Sequence, residues 1–308
     1  VSLPPLGSQD VMLKTIYSAI SHGTEKLILS GHLNQDLALD VGNKAYGQAQ
    51  YPFTYGYQSV GEILAVGDAL DTSLIGKRAF AFAPHSEKVV VDRENIVMLE
   101  DKSPPLPFVL LANMETAVSL IWDANPNLGM NVAVFGQGTV GLLTTSLLAR
   151  QGLGRIVCFD PNHQRLERAK QLGATEVFAA AEQTDLVEMS LELSGHPDAL
   201  ESAINVTCFG GKIIIGSWYP KNKTSMPLGT EFHRKRQTLY ASQVSSANHL
   251  LPPSFTKMRR MEIAKESLAD LPTEMILSHR IPFRDAQEAY KLLLAEDDQV
   301  HQILFTYE

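Results

Sequence analysis

Residues 132–141 read Val132-Ala133-Val134-Phe135-Gly136-Gln137-Gly138-Thr139-Val140-Gly141, an apolar strand pattern turning through G-x-G-x-x-G into an apolar helix pattern. The spacing has a backbone logic. Gly136 permits a tight turn, Gly138 lets a pyrophosphate approach the main chain, and Gly141 allows close packing of helix on strand. The helix N-terminus offers N–H groups and the positive end of its dipole to the phosphates. Gln137, Thr139 and Val140 therefore join the three glycines as dinucleotide-binding candidates. Asp160 ends the next strand pattern, Ile156-Val157-Cys158-Phe159-Asp160, where a carboxylate accepts hydrogen bonds from ribose hydroxyls and repels a 2′-phosphate. NAD is the cofactor this predicts. Arg165 is either a solvated helix residue or a group that accommodates a 2′-phosphate.

Two further groups could meet a substrate. Ser217, Trp218 and Tyr219 end a strand pattern at the edge of the sheet where ligands bind in such folds, flanking the cofactor or the substrate. The run His233-Arg234-Lys235-Arg236 either holds an anionic substrate group by charge-assisted hydrogen bonds or forms a solvated face. His85 has no discriminating context and reads as an ordinary polar residue.

These residues need a scaffold of ordinary globular composition. The 308 residues are 44% hydrophobic and 19% charged, which fits two conventional cores rather than a disordered or stapled chain. With 34 acidic against 26 basic residues the net charge is −8, an unfavourable balance for duplex binding. No nucleic acid and no membrane partner are expected, since the apolar runs 108–112 and 213–215 are far shorter than the ~20 residues of a membrane helix. Two cysteines, Cys158 and Cys208, are too few for a disulfide framework, so a cytoplasmic location is expected. The start at Val1 is read as a truncated one.

Strand signals at 11–17, 59–66, 78–83 and 88–92 suggest a β unit up to about residue 100. After Pro104-Pro105-Leu106-Pro107 the pattern alternates: helix 108–123, strand 131–135, helix 139–151, strand 155–160, helix 163–172, strand 189–193, helix 197–206 and strand 212–216. Such alternation argues for a parallel sheet with crossover helices. Residues 278–308 add a strand signal, a helix with Ala286, Ala289, Tyr290 and Leu293, and a terminal strand at 302–307.

Taken together, Ser18-Ala19-Ile20-Ser21-His22-Gly23-Thr24-Glu25, Tyr55-Gly56-Tyr57-Gln58-Ser59-Val60-Gly61, the Gly136 loop and Ile281-Pro282-Phe283 resemble the medium-chain dehydrogenase/reductase superfamily over nearly the whole chain. The resemblance implies an α/β protein: a GroES-like β catalytic domain (1–105 and 275–308) and a Rossmann doubly wound parallel-sheet domain (106–274). It implies a two-fold homodimer, and a first strand pair that would precede Val1. In the zinc-dependent members a Cys stands at Ser21, a His at Tyr57, a Glu at Gln58 and the third ligand near Ala112. The cysteine-rich structural zinc lobe is missing as well, so no metal is expected. A zinc-lacking bacterial subgroup is closer still, through Asn113-Met114-Glu115-Thr116-Ala117, Ser217-Trp218-Tyr219, Pro227-Leu228-Gly229, Phe232-His233-Arg234-Lys235-Arg236 and Ser242-Gln243-Val244.

Without zinc, another group must manage the alcohol proton. Tyr57 is either that donor or a core tyrosine beside Gly56. Ser21, His22 and Thr24 are a second polar set at the corresponding loop, and His22 could relay a proton. Glu115 is expected to line the site. The chain reads as a zinc-independent NAD(H) oxidoreductase interconverting alcohol and carbonyl on a small molecule. The rivals are a zinc-free quinone or enone reductase and a non-catalytic NAD(H)-binding protein.

Overall fold

The computed structural model of the protein describes residues 3–31, 51, 53–181, 185–219, 226, 228–245, 251–295 and 299–308; Pro227 lies outside them. Among the described residues the strands form two sheets. The long strand β1 (Asp10–Ala19) organises the first. β2 (Ser59–Val66) runs antiparallel along it, and β3 (Arg78–Ala81) and β5 (Ile96–Met98) extend the sheet beyond β2. β4 (Lys88–Asp92) pairs with the first half of β1, and β13 (Gln302–Thr306) with its last residues. β12 (Leu277–Pro282) lies parallel to β13, so the C-terminal strands return to the sheet that β1 begins. Val11, Leu13 and Thr15 are buried along β1 while Lys14 is exposed, the period-two pattern of a strand with one face in a core.

The second sheet contains β6 (Asn131–Phe135), β7 (Arg155–Phe159), β8 (Glu176–Phe178), β9 (Val187–Glu192), β10 (Thr207–Ile215) and β11 (Thr238–Ala241), all parallel, in the order β11-β10-β9-β6-β7-β8. Counted from β6, this is the doubly wound order with its switch point between β6 and β9. Val132, Ala133, Val134 and Phe135 are all buried, as a strand covered on both faces requires. The following helix α3 (Thr139–Leu148) buries Leu142, Leu143, Leu147 and Leu148 with Thr144 and Thr145 between them. It is a core helix.

Helix α1 (His22–Leu29) follows β1, α7 (Ala286–Leu294) lies between β12 and β13, and α4 (His163–Gln171) and α5 (Pro197–Val206) are crossovers. Helix α2 (Leu111–Ala124) packs against α3 and α6 (Lys257–Ala269). With the 3₁₀ turn before it, Leu106–Ala124 is long and apolar enough to cross a membrane by length and composition, contrary to the expectation from shorter runs; 78% of its apolar window is buried inside the protein. Burial on most sides produces that composition.

Some element boundaries differ from those the sequence pattern suggests. Residues 106–110 form a 3₁₀ turn ahead of α2, and α3 ends at Leu148. β10 starts at Thr207 instead of 212, because a register irregularity containing Gly210, at φ +71°, interrupts its apolar pattern. One hydrophobic cluster, from Ala19, Val60 and Phe80 through α2 to Val132, Ile214 and Leu304, joins both sheets.

Candidate active site

The glycine loop lies at the switch point. Gly136 has φ +88°, and a Cβ there would sit 2.5 Å from the Cα of Ser194 beyond β9. A Cβ on Gly141 would be 1.9 Å from the Gly136 carbonyl oxygen, so only glycine lets α3 pack this close. Gly138 is different: nothing lies within 4 Å of where its Cβ would be. No side chain caps the N-terminus of α3. The loop thus opens a backbone surface of the kind a pyrophosphate needs.

Asp160 is 4% exposed and braces this loop: Oδ2 accepts from Gln137 N–H at 2.7 Å, and Oδ1 from Asn162 N–H at 2.9 Å. The Gln137 side chain turns inward to Val134 and Thr145, so only its backbone faces the loop. Thr139 donates at 2.9 Å to Gln302 Oε1, while half-buried Val140 packs against the shared core. Ser217 accepts from Gly195 N–H at 2.8 Å and steadies the neighbouring turn.

Cationic groups surround the same helix end. Arg165 reaches to 3.8 Å from Asp160 and donates to the Val300 carbonyl at 3.4 Å. Arg165 Nε, Arg168 Nη1 and both ring nitrogens of His301 are buried without a hydrogen-bond partner. Burial, then Arg168, Arg165, His22 and His279 push the His301 imidazole down to about 3. Like charges and orphaned polar atoms of this kind are costly together unless an anion joins them.

The second group forms at the end of β1. Ser21, buried, hydrogen-bonds through its hydroxyl to the Tyr57 phenol. His22 and Thr24 lie half-buried on the first turn of α1. Gln302 Nε2 donates at 2.5 Å to the Ile20 carbonyl, one residue before Ser21, while its Oε1 accepts from Thr139. A single buried amide therefore ties the Ser21–Tyr57 pair to the start of α3.

Around Ser21 the structure assembles residues that sequence reading passed over. Glu25 on α1 accepts from Ser21 N–H at 2.7 Å and from Tyr290 OH at 2.9 Å, with His85 Nε2 at 3.2 Å. Nothing in the spacing of Glu25, His85 and Tyr290 signals this meeting, because three separate elements carry them.

Other candidates lie elsewhere. Glu115 was expected to line the site, but Arg260 on α6 donates to its Oε1 from Nε and Nη2 at 3.1 and 2.9 Å, so it is a buried ion-pair partner between helices. His233 and Arg234 are exposed, and the Lys235 carbonyl beside them accepts from Gly210 N–H at the amino-terminal side of β10. That is the end of the sheet opposite the ligand edge, which removes the anionic-substrate role expected for the run. Trp218 is 42% exposed at the ligand edge, whereas Tyr219 donates to Glu192, and burial with that carboxylate pushes its phenol far up. Gln58 Nε2 donates to the Ala19 carbonyl at 3.4 Å. Among the described residues no three His, Cys, Asp or Glu side chains converge as a metal site.

The family description "Zinc-binding dehydrogenase" matches residues 139–261. The chain is 24% identical to the D-guloside 3-dehydrogenase of Escherichia coli K12 over 92% of this chain and 88% of that protein. It is 25% identical to the sorbitol dehydrogenase of Bacillus subtilis 168, over 75% and 73% respectively. The crystal structure of an alcohol dehydrogenase, RspB, from E. coli CFT073 complexed with NADH has the same fold, with TM-score 0.79 at 17% identity, covering 99% of this chain and 94% of that one. The β unit, the doubly wound sheet, the family model over residues 139–261 and these relatives together indicate similarity to the zinc-type alcohol dehydrogenase-like branch of the medium-chain dehydrogenase/reductase superfamily.

Proposed function

We propose that the protein is an NAD(H)-dependent oxidoreductase that interconverts an alcohol and a carbonyl on a small molecule without zinc. The observation that carries this reading is the Gln302 bridge, which brings the Ser21–Tyr57 hydroxyl pair beside the glycine loop through Ile20 and Thr139. The open surface at Gly138 and the uncapped start of α3 support binding of the diphosphate, with Arg165 as its cationic partner and the uncharged His301 imidazole as a hydrogen-bonding neighbour. Asp160 keeps further lone pairs for the ribose hydroxyls. A bound nicotinamide ring supplies the hydride chemistry. Ser21 and Tyr57 orient the substrate oxygen and hold its proton, and Trp218 flanks the substrate at the ligand edge. Hydroxyl and amide groups at Ser21, Tyr57 and Gln58 match poorly with the thiolate, imidazole and carboxylate ligands that zinc takes. Residues 1–105 with 275–308 would form the catalytic unit, 106–274 the cofactor unit, and the outer edge of β11 the two-fold contact of a homodimer.

A second reading, a zinc-free quinone or enone reductase using NADPH, draws support from Arg165, whose guanidinium beside Asp160 could meet a 2′-phosphate. Calorimetric titration with NADH and NADPH separates the two. NADH is expected to bind tighter, with the ratio of the two affinities collapsing in Asp160→Ala and turnover found in a panel of polyols and secondary alcohols. Tighter NADPH binding would put the reductase first. Binding without turnover would favour a non-catalytic role, and no binding of either dinucleotide would end both enzyme readings.

A further inference from the structure

Sequence gives no role to Glu25, which ends the Ser18–Glu25 segment, or to His85, yet their side chains are 3% and 4% exposed. A carboxylate that only caps a helix ordinarily stays near solvent, since burying one costs several kcal/mol unless donors replace its water. Glu25 has such donors from three directions. Ser21 N–H meets Oε1 at 2.7 Å, the Tyr290 hydroxyl from α7 meets Oε2 at 2.9 Å, and His85 Nε2, in the connection between β3 and β4, is 3.2 Å from each oxygen.

An ionised carboxylate only accepts, so His85 Nε2 carries a proton toward it. In the neutral ring Nδ1 must then accept, and Ser18 Oγ lies 2.7 Å away as the donor. Ser18 in turn accepts from the Tyr307 hydroxyl at 2.7 Å. With a neutral His85 ring the hydroxyl directions in the chain Tyr307, Ser18, His85, Glu25 all run toward the carboxylate.

His85 also grips the second hydroxyl carrier. Its backbone N–H donates to the Tyr55 carbonyl at 3.2 Å. Its ring packs against Gly56, where φ is +128° and a Cβ would come within 2.8 Å of Cδ2. Glu25 therefore holds Ser21 by its N–H, His85 holds the two residues before Tyr57, and the two side chains are joined. We propose that Glu25 and His85 are positioning residues, a buried crossbar that holds the Ser21 hydroxyl against the Tyr57 phenol. This deepens the reading of that pair as the proton-handling group and rests on it.

The test uses full-length protein labelled with 3-fluorotyrosine, the Tyr57 resonance being assigned by its loss in Tyr57→Phe. Ser21→Ala sets the displacement of that ¹⁹F signal when the partner hydroxyl is gone. Glu25→Gln and His85→Ala are each expected to give at least half of that displacement, while melting stays cooperative and NADH affinity stays within about threefold. Tyr290→Phe, which removes a contact to Glu25 without touching either carrier, should lower stability and leave the Tyr57 signal in place. With an alcohol that the wild type oxidises, D-sorbitol being the first probe, Glu25→Gln should lower kcat by about tenfold or more with little change in KM, as misplacement does. An unmoved Tyr57 signal in both crossbar variants would overturn the proposal, as would an unchanged kcat. Failure of the wild type to bind NADH or oxidise any probe would instead sink the oxidoreductase reading, and the fluorine signal alone would decide the crossbar.

Discussion

Both ring nitrogens of His301 are buried without partners beside Arg165 and Arg168, so protonation there is opposed by burial first and by neighbouring charge second. With the folded-state value near 3 and the unfolded one at 6.5, the unfolded chain takes up a proton below pH 6.5 that the folded chain refuses until about pH 3. The sign follows directly: this residue's contribution is intact above pH 6.5 and is lost as pH falls through that window, by at most about 1.4 kcal/mol per pH unit. Urea midpoints at pH 7.5 and pH 5 should therefore fall more for the wild type than for His301→Gln, and parallel losses would refute the assignment. The two cysteines give a simpler expectation. Burial pushes the Cys158 thiol up to about 12, whereas Cys208 is only half-buried. Since the thiolate is the reactive form, a thiol reagent should titrate one cysteine per native chain and both in denaturant.

Helices α2 and α6 are joined through a buried ion pair whose members lie far apart in sequence, Glu115 and Arg260, with Arg260 also donating to the Val244 carbonyl at 2.7 Å. Removing one partner strands the other charge, so Arg260→Leu should destabilise the fold by about 3–5 kcal/mol, while Glu115→Leu with Arg260→Leu should recover much of that loss. Chemical denaturation of the single and double variants tests this, and a double variant as weak as the single would contradict it. The same pair marks what local pattern could show. The strand–turn–helix at Gly136 was legible because each glycine answers a backbone demand within ten residues, and the buried strands of the parallel sheet announce themselves as apolar runs. Helix α1 leaves no helical pattern in the sequence because Ser21, Gly23 and Thr24 crowd its start. Strands β5 and β8 are too short to show a period, and α6 presents Lys257, Arg259, Glu262 and Lys265 with only a narrow apolar stripe. Ser21 and Tyr57 could be singled out because they stand at known positions of a resemblance. His85 could not, since its meaning comes from Glu25 and Gly56, which only folding brings to it.

Two sheets of different type would ordinarily be expected to unfold as two bodies, but this chain couples them in two ways. Its last strand, β13, lies inside the first sheet between β12 and β1, so that sheet closes only when both ends of the chain are present. The hydrophobic cluster running from Phe80 and Leu304 through Leu110, Met114 and Leu120 to Val134 and Ile214 has no gap at which the sheets could part. Gln302 adds polar ties at 2.9 and 2.5 Å between α3 and the end of β1. Apolar burial is cooperative across a shared core, whereas a satisfied buried amide is worth about 1–3 kcal/mol by what its loss leaves unpaired. Scanning calorimetry of the wild type should therefore give one transition rather than two. Gln302→Ala should lower the midpoint by several degrees and still melt in one step, because the shared core rather than the amide unites the sheets. Separate transitions in the variant alone would assign that coupling to Gln302, and separate transitions in the wild type would mean that the apolar cluster does not act as one core. The amide's own role would then be read from cofactor affinity: a bridge that aligns Ile20 with Thr139 should weaken NADH binding when removed, even where melting remains a single event.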